Sequence, residues 1–263
     1  MPLISVITPV HDRPQFLEEA VDSIRRQSFQ DWEHIIVDDG SANPQTQEIL
    51  RKIEGSPKTF IYRTGNYGLG AARNFGIERS NGQYILTLDD DDKWHPEFMV
   101  EALKLINEKP GTGVVTAWLK EFGLSDRLVK ITGGDVRNFL IENNSVHGLF
   151  KKELWQASGK YDEQMPAYED WDFWLRITAM GYRVEVIPAA YFFYRVHNYP
   201  SLLKEVQGKH LELFRYIIEK NKNIYREHIV DALCLLEEKL EHTQKSAGSN
   251  TIKKQLKRLI GLG

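Results

Sequence analysis

Apolar positions in the first hundred residues switch between two periods. Leu3-Ile4-Ser5-Val6-Ile7-Thr8 is short, β-branched and closed by Pro9, which predicts a strand. Phe16, Leu17, Ala20, Val21 and Ile24 then share one face of a helix, with Pro14 near its start, where a missing N–H costs nothing. The alternation repeats with a strand at His34–Val37, a helix opened by Asn43-Pro44, a strand at Thr59–Arg63 and a short helix over Gly70–Arg79. A strand at Gln83–Leu88 follows, and Pro96 opens a helix carrying Phe98, Leu103 and Ile106. Strands alternating with helices predict an α/β fold with βαβ crossovers and a mainly parallel central sheet. These strands are nearly continuously apolar, as expected when helices cover both faces.

The middle of the chain is less regular. Gly113–Trp118 predicts another strand, Gly148-Leu149-Phe150 leads into a helical Lys152–Trp155, and Trp171–Met180 is an aromatic helix ended by Gly181. Val184–Ile187 and Ala190–Tyr194 are strand-like. From Leu202 to Leu240 apolar residues recur at helical spacing. Residues 244–251 are polar with Gly and Ser and predict a linker, and Ile252–Ile260 predicts a small basic amphipathic helix. The expected organisation is a main domain over 1–200, with halves of about 1–95 and 96–200. A helical extension over 201–243 and the linker with its basic helix over 244–263 complete it.

Composition narrows the class. Lys and Arg number 34 against 37 Asp and Glu, a net charge of −3, which argues against a bulk nucleic-acid binder. The single cysteine, Cys234, permits no internal disulfide and no cysteine-based zinc site, and fits a reducing compartment. No apolar run is long enough to span a bilayer, and Met1–Ile7 runs into a strand without a basic n-region, unlike a signal peptide. A soluble protein of the cytoplasm is expected.

In a parallel sheet, ligands bind beyond the carboxyl ends of the strands. Three such ends are polar: Thr8-Pro9-Val10-His11-Asp12, Asp38-Asp39, and Asp89-Asp90-Asp91-Asp92. So many carboxylates at one edge repel unless a positive charge intervenes. Mg²⁺ and Mn²⁺ take oxygen ligands and share carboxylates with substrate phosphates, so the pattern predicts a metal-bridged diphosphate site. Taken singly, Asp-Gly-Ser is also an ordinary turn and an acidic run also an ordinary solvated surface. The run resembles an enteropeptidase tag too, but it follows a buried strand rather than a terminus.

Gly65–Gly70 precedes a helix, yet its glycine spacing fails the dinucleotide pattern, since position 73 is Arg. Arg73 near that helix start suits a phosphate or carboxylate, and equally a surface turn. A second polar cluster, Glu169-Asp170-Trp171-Asp172, reads either as acidic residues complementing a helix dipole or as a base among aromatics that line an acceptor groove. His147 is assigned to that acceptor side, although a single histidine also fits a hydrogen-bonded structural role.

Five segments then occur in order. They are Ser5–Arg13, Val37–Ser41, Gly70–Ile77, Gly82–Asp92 and Glu169–Asp172. Together they resemble the family 2 glycosyltransferases, inverting enzymes of the GT-A fold, over roughly residues 3–200. The resemblance implies a GT-A nucleotide-diphospho-sugar transferase fold with a helical C-terminal extension. It implies that Thr8, Pro9 and Val10 border the nucleotide base, that Asp39 reads its edge, and that Arg73 sits near base or diphosphate. Asp89 and Asp90 would lie toward ribose and metal, Asp91 would be the direct metal ligand, and His197 a metal or diphosphate contact. Asp170 matches the catalytic base, with Glu169, Trp171 and Asp172 shaping the acceptor side. Position 11 is His where relatives often carry Tyr.

The implied activity is a hexosyltransferase type of reaction in cell-envelope polysaccharide biosynthesis. It uses Mn²⁺ or Mg²⁺ and moves a sugar from a nucleotide donor, UDP favoured, to a hydroxyl of a glycan or lipid-linked acceptor in one displacement. The alternatives are a catalytically idle nucleotide-sugar sensor or assembly subunit, and a nucleotidyltransferase, whose basic glycine-rich loop residues 9–14 do not supply. The basic helix at 252–260 allows peripheral contact with an anionic membrane face, or packing in a homodimer.

Overall fold

The computed structural model describes residues 1–145, 147–200, 205–206 and 208–246. They fall into two compact units, Met1–Lys220 and a second beginning at Asn221. In the first unit the predicted alternation appears as β1 (Ile4–Val10), α1 (Pro14–Arg25), β2 (Trp32–Asp38), α2 (Pro44–Ile53) and β3 (Thr59–Arg63). α3 (Leu69–Arg79), β4 (Tyr84–Thr87), β5 (Lys93–Trp94) and α4 (Phe98–Glu108) follow. Pro14 occupies the first turn of α1, and the Asn43 side chain caps α2 by accepting from the Gln45 N–H at 2.8 Å.

The later elements are β6 (Thr112–Gly123), β7 (Leu128–Val129), β8 (Leu149–Lys151), α5 (Lys152–Ala157), α6 (Glu169–Ala179), β9 (Arg183–Val196) and α7 (His210–Lys220). Among the described residues nine strands form one sheet in the order β3-β2-β1-β4-β8-β6-β9-β5, with β7 paired to β6. β3, β2, β1 and β4 are mutually parallel. β8 runs antiparallel to both β4 and β6, because the chain returns from β6 through an irregular stretch rather than a crossover helix. The parallel expectation therefore holds for β3-β2-β1-β4 and for β6 with β9, and the whole sheet is mixed. The two strand-like runs near residue 190 are one strand, β9, whose pairing with β6 shifts register around Trp118.

Two features carry the site. The order β2-β1-β4 reverses direction of winding at β1, which opens a crevice beyond the carboxyl ends of β1 and β4. α3 lies unusually close to the sheet, because a Cβ on Gly76 would meet Ile7 Cγ2 at 2.8 Å and Val37 Cγ2 at 3.1 Å. That close approach lowers Arg73 into the sheet's rim. Across the sheet, Trp94 stacks on Phe98 at 3.8 Å and packs on Phe192, closing the core beneath the aspartate run.

The helical spacing from Leu202 to Leu240 resolves into separate helices. α7 belongs to the first unit, whereas α8 (Lys222–Glu227) and α9 (Ile229–Ser246) form the described part of the second. α9 extends to Ser246, inside the stretch expected to be linker, and the predicted basic helix at 252–260 lies outside the described residues. No described helix is long and apolar enough to cross a membrane.

Candidate active site

On the β2 side of the crevice lies a hollow of about 320 Å³ beyond β1 and β2, lined among others by Pro9, Val10, His11, Arg13, Asp39 and Tyr199. Its two floor loops are stitched together. Asp12 accepts from the Asn43 N–H at 2.7 Å and donates its own N–H to Ser41 Oγ at 3.1 Å. Asp39 borders the hollow, yet its carboxylate already organises the glycine-containing loop. Oδ1 accepts from Thr64 Oγ1 at 2.7 Å and the Tyr67 N–H at 2.8 Å, and Oδ2 from the Gly68 N–H at 2.7 Å. Gly68 stands at φ +96°, a conformation that favours glycine, so this loop is shaped around the carboxylate.

The four aspartates after β4 point to different partners. Asp89 accepts from Arg73 Nη2 at 2.8 Å, and burial, which would raise its pKa, is outweighed by Arg73 and His147, so it is held well below the usual carboxylate range. Asp90 is buried, pairs with Arg13 Nε at 3.3 Å, and is pushed up to about 8 by burial against Arg13, with Asp91 and Asp89 adding repulsion. Asp91 accepts from Arg13 Nη1 and lies 3.0 Å from His197 Nε2 through the same oxygen, Oδ2. Asp92 accepts from the Arg195 N–H at 2.8 Å, and burial, then Asp91 and Asp89, push it well above the carboxylate range.

A donor group for a cation is present. Asp89, Asp92 and His147 each place one ligand atom within 4.8 Å of the others. His147 Nε2 and Asp92 Oδ2 are buried without a hydrogen-bond partner, and His147 Nδ1 is engaged by Thr87 Oγ1 at 3.1 Å, so Nε2 faces the carboxylates. Asp91 with His197 offers a second oxygen–imidazole pair beside it. Carboxylate oxygens with imidazole suit Mn²⁺ and tolerate Mg²⁺, so these residues fit the expected metal.

α6 brings the second polar cluster to the same rim. Tyr168 before it is left-handed, at φ +66°, which turns the chain sharply into the helix. Glu169 pairs with Arg73 Nη1, so one buried guanidinium ties Asp89 on the β4 end to the start of α6. Asp170 is half-buried. Its Oδ2 accepts from Asn143 Nδ2 at 2.9 Å and its Oδ1 from the Trp171 N–H at 2.8 Å. Burial, then Glu169, push its pKa up to about 7 against Arg73 and His147. A carboxylate so tuned takes a proton near neutral pH.

Residues 5–159, more than half of the chain, match the family described as "Glycosyl transferase family 2". The chain belongs to this family. It is 28% identical over 225 residues to an uncharacterized glycosyltransferase of Methanocaldococcus jannaschii, covering 80% of this chain and 76% of that protein. It is 38% identical over 110 residues to TuaG of Bacillus subtilis, a putative teichuronic acid biosynthesis glycosyltransferase, covering 41% of this chain and 43% of that one. The fold is similar to S. aureus TarS 1–349 in complex with UDP-GlcNAc, with a TM-score of 0.66 at 20% identity, covering 76% of this chain and 60% of that one. The family 2 chain is thus shorter than these TarS structures, and their likeness establishes the GT-A-like fold.

In this glycosyltransferase Pro9, Val10, Arg13 and Asp39 line the hollow; Arg13 ties Asp90 and Asp91 to it, Asp91 meets His197, and Arg73 ties Asp89 to Glu169, the neighbour of Asp170. Other expectations are corrected. Thr8 is fully buried and its hydroxyl meets His34 Nε2 at 2.9 Å, because it stands in the covered strand. Arg73 is buried between two carboxylates rather than offered to a ligand. Trp171 is buried, donating to the Phe139 carbonyl at 2.6 Å and stacking on Phe214. Asp172 is buried, accepting from Arg176 and from Lys220 Nζ at 2.8 Å. Glu169 is consumed by Arg73, so these three hold α6 in place instead of shaping an acceptor surface. His147 joins Asp89 and Asp92 rather than the acceptor side.

Sequence reasoning missed Arg13, Arg195 and Asn143. Arg13 stood inside the first motif as a signal without a role. Arg195 closes β9 onto the run through its N–H to Asp92 and its Nε to the Asp91 carbonyl at 2.9 Å. Asn143 lies in an irregular segment where no pattern marks it.

Proposed function

We propose that this family 2 glycosyltransferase transfers a hexose from a UDP-sugar to a hydroxyl of a glycan or lipid-linked acceptor, with inversion and with Mn²⁺ or Mg²⁺. The observation that carries the reading is the link Arg73 makes between Asp89 of the aspartate run and Glu169, the residue before Asp170, beside a hollow lined by Pro9, Val10 and Asp39. UDP is favoured because the similar TarS fold was solved with UDP-GlcNAc. The relative TuaG, described as a putative teichuronic acid biosynthesis glycosyltransferase, supports a glycan product.

Asp91 pairs with the hollow-lining Arg13 and with His197, so we assign the cation to Asp91 and His197, with Asp89, and with Asp92 and His147 as the adjoining donors. A bound divalent cation stabilises charge developing on the leaving diphosphate. Asp170, aligned by Asn143, takes the proton of the acceptor hydroxyl as its oxygen attacks the anomeric carbon. That single displacement breaks the bond to the diphosphate, forms the new glycosidic bond and inverts the centre. A thermal-shift panel of UDP-, GDP- and dTDP-sugars with and without Mn²⁺, followed by a hydrolysis assay, tests the reading. Stabilisation by UDP-sugars that requires Mn²⁺, with slow release of UDP, is expected. Absence of any nucleotide-sugar response would overturn it.

A further inference from the structure

Three arginines border the aspartate run, and two of them are committed to the fold. Arg73 is buried between Asp89 and Glu169. Arg195 spans Glu19 at 2.9 Å and the Asp91 carbonyl. Arg13 differs. It lines the hollow, a quarter of its side chain is exposed, and it precedes α1 at the end of the β1 loop. Its guanidinium grips Asp90 through Nε and Asp91 through Nη1. The Asp91 oxygen it takes, Oδ2, is the one that meets His197. A guanidinium and a divalent cation on one carboxylate oxygen repel each other, so Arg13 competes with a cation for it.

We propose that Arg13 is a binding residue for the donor's diphosphate which, in the donor-free protein, stands in for the cation on Asp91. This rests on the metal reading above and deepens it. When a nucleoside diphosphate enters the hollow that Arg13 lines, its phosphate oxygens offer the planar guanidinium a two-pronged anionic partner. Arg13 moves from carboxylate to phosphate, and Asp91 is released to the cation. The cation and the nucleotide therefore bind with positive coupling, and each raises the affinity for the other by the same factor. The cation alone is held poorly because it must displace an internal charge. The arrangement also keeps the paired aspartates from facing one another uncompensated while the site awaits substrate.

The test is titration of the full chain with MnCl₂, followed by manganese electron paramagnetic resonance, and calorimetry with UDP. In wild type, Mn²⁺ without nucleotide is expected to bind weakly and UDP to tighten it. Arg13→Gln is expected to bind Mn²⁺ without nucleotide roughly tenfold tighter or more, because one opposing charge is gone. The same variant is expected to bind UDP with Mn²⁺ roughly tenfold more weakly. Arg13→Lys keeps the charge on a narrower head and falls between wild type and Arg13→Gln on both measures; it carries the test if the glutamine variant does not fold. Unchanged or weaker Mn²⁺ binding in these variants, with UDP and Mn²⁺ still synergistic in wild type, overturns the role of Arg13 and leaves the metal reading standing. UDP binding indifferent to Mn²⁺ in wild type overturns both.

Discussion

The side-chain amide of Asn143 donates to Oδ2 of Asp170 at 2.9 Å and leaves the carboxylate aligned by a second bond from the Trp171 N–H. A group from an irregular loop thus orients the residue assigned as the base. Asp170→Asn is expected to lower transfer by roughly 10²–10⁴-fold while UDP affinity stays near wild type, as kinetics and calorimetry would show. Wild-type turnover in that variant would refute the assignment.

The same pair sets a pH dependence. Asp170 acts only when ionised, and burial holds its pKa at about 7, so kcat/KM is expected to rise with pH through that value. Asn143→Ala removes a hydrogen bond to the charged form, which moves the rising limb to higher pH. It also lowers kcat by roughly ten- to a hundredfold through misorientation. A pH–rate profile unchanged from wild type would show that Asn143 does not act through Asp170.

Asp91→Ala removes the carboxylate shared by Arg13 and His197. UDP affinity measured with Mn²⁺ is expected to fall by roughly tenfold or more, while affinity measured in EDTA does not fall. Equal losses in both conditions would detach Asp91 from the cation.

Arg73 is a single buried cation between Asp89 and Glu169. Arg73→Met strands both carboxylates, which should cost about 3–5 kcal/mol in urea unfolding. Arg73→Lys should recover part of that loss. A midpoint equal to wild type for the methionine variant would contradict the bridge.

His34 is buried in β2 against Thr8, and burial, with Arg25 adding, depresses its pKa to about 3. The folded state therefore binds fewer protons than the unfolded one below the ordinary imidazole range. Its contribution is complete above about pH 6.5 and is lost as pH falls toward about 3, on the order of 4 kcal/mol. His34→Gln should flatten the acid limb of a melting-temperature profile between those values. An identical acid limb would place the sensitivity elsewhere.

Much of the first half was legible because its rules are local. Pro14, Asn43 and the apolar faces of α1 and α2 act within a turn or two of helix, and the strands carry continuous apolar runs. The aspartate run and Asp170 were visible because charge at a strand end or helix start stands out against such runs. The orientation of β8 was not legible, since it depends on how an irregular stretch returns to the sheet. Nor were the buried roles of Trp171 and Asp172, because a helix start looks the same whether its polar face meets solvent or Arg176 and Lys220.

Residue order by itself determined the βα alternation, the family and the set of acidic groups that gather at one rim, since these follow from periodicity and from motifs read in line. Only the tertiary structure decided which aspartate meets which cation. Arg13, Arg73, His147, Arg195 and His197 reach the run from separate elements, and the energy of a charge pair depends on distance and burial, which sequence separation does not encode.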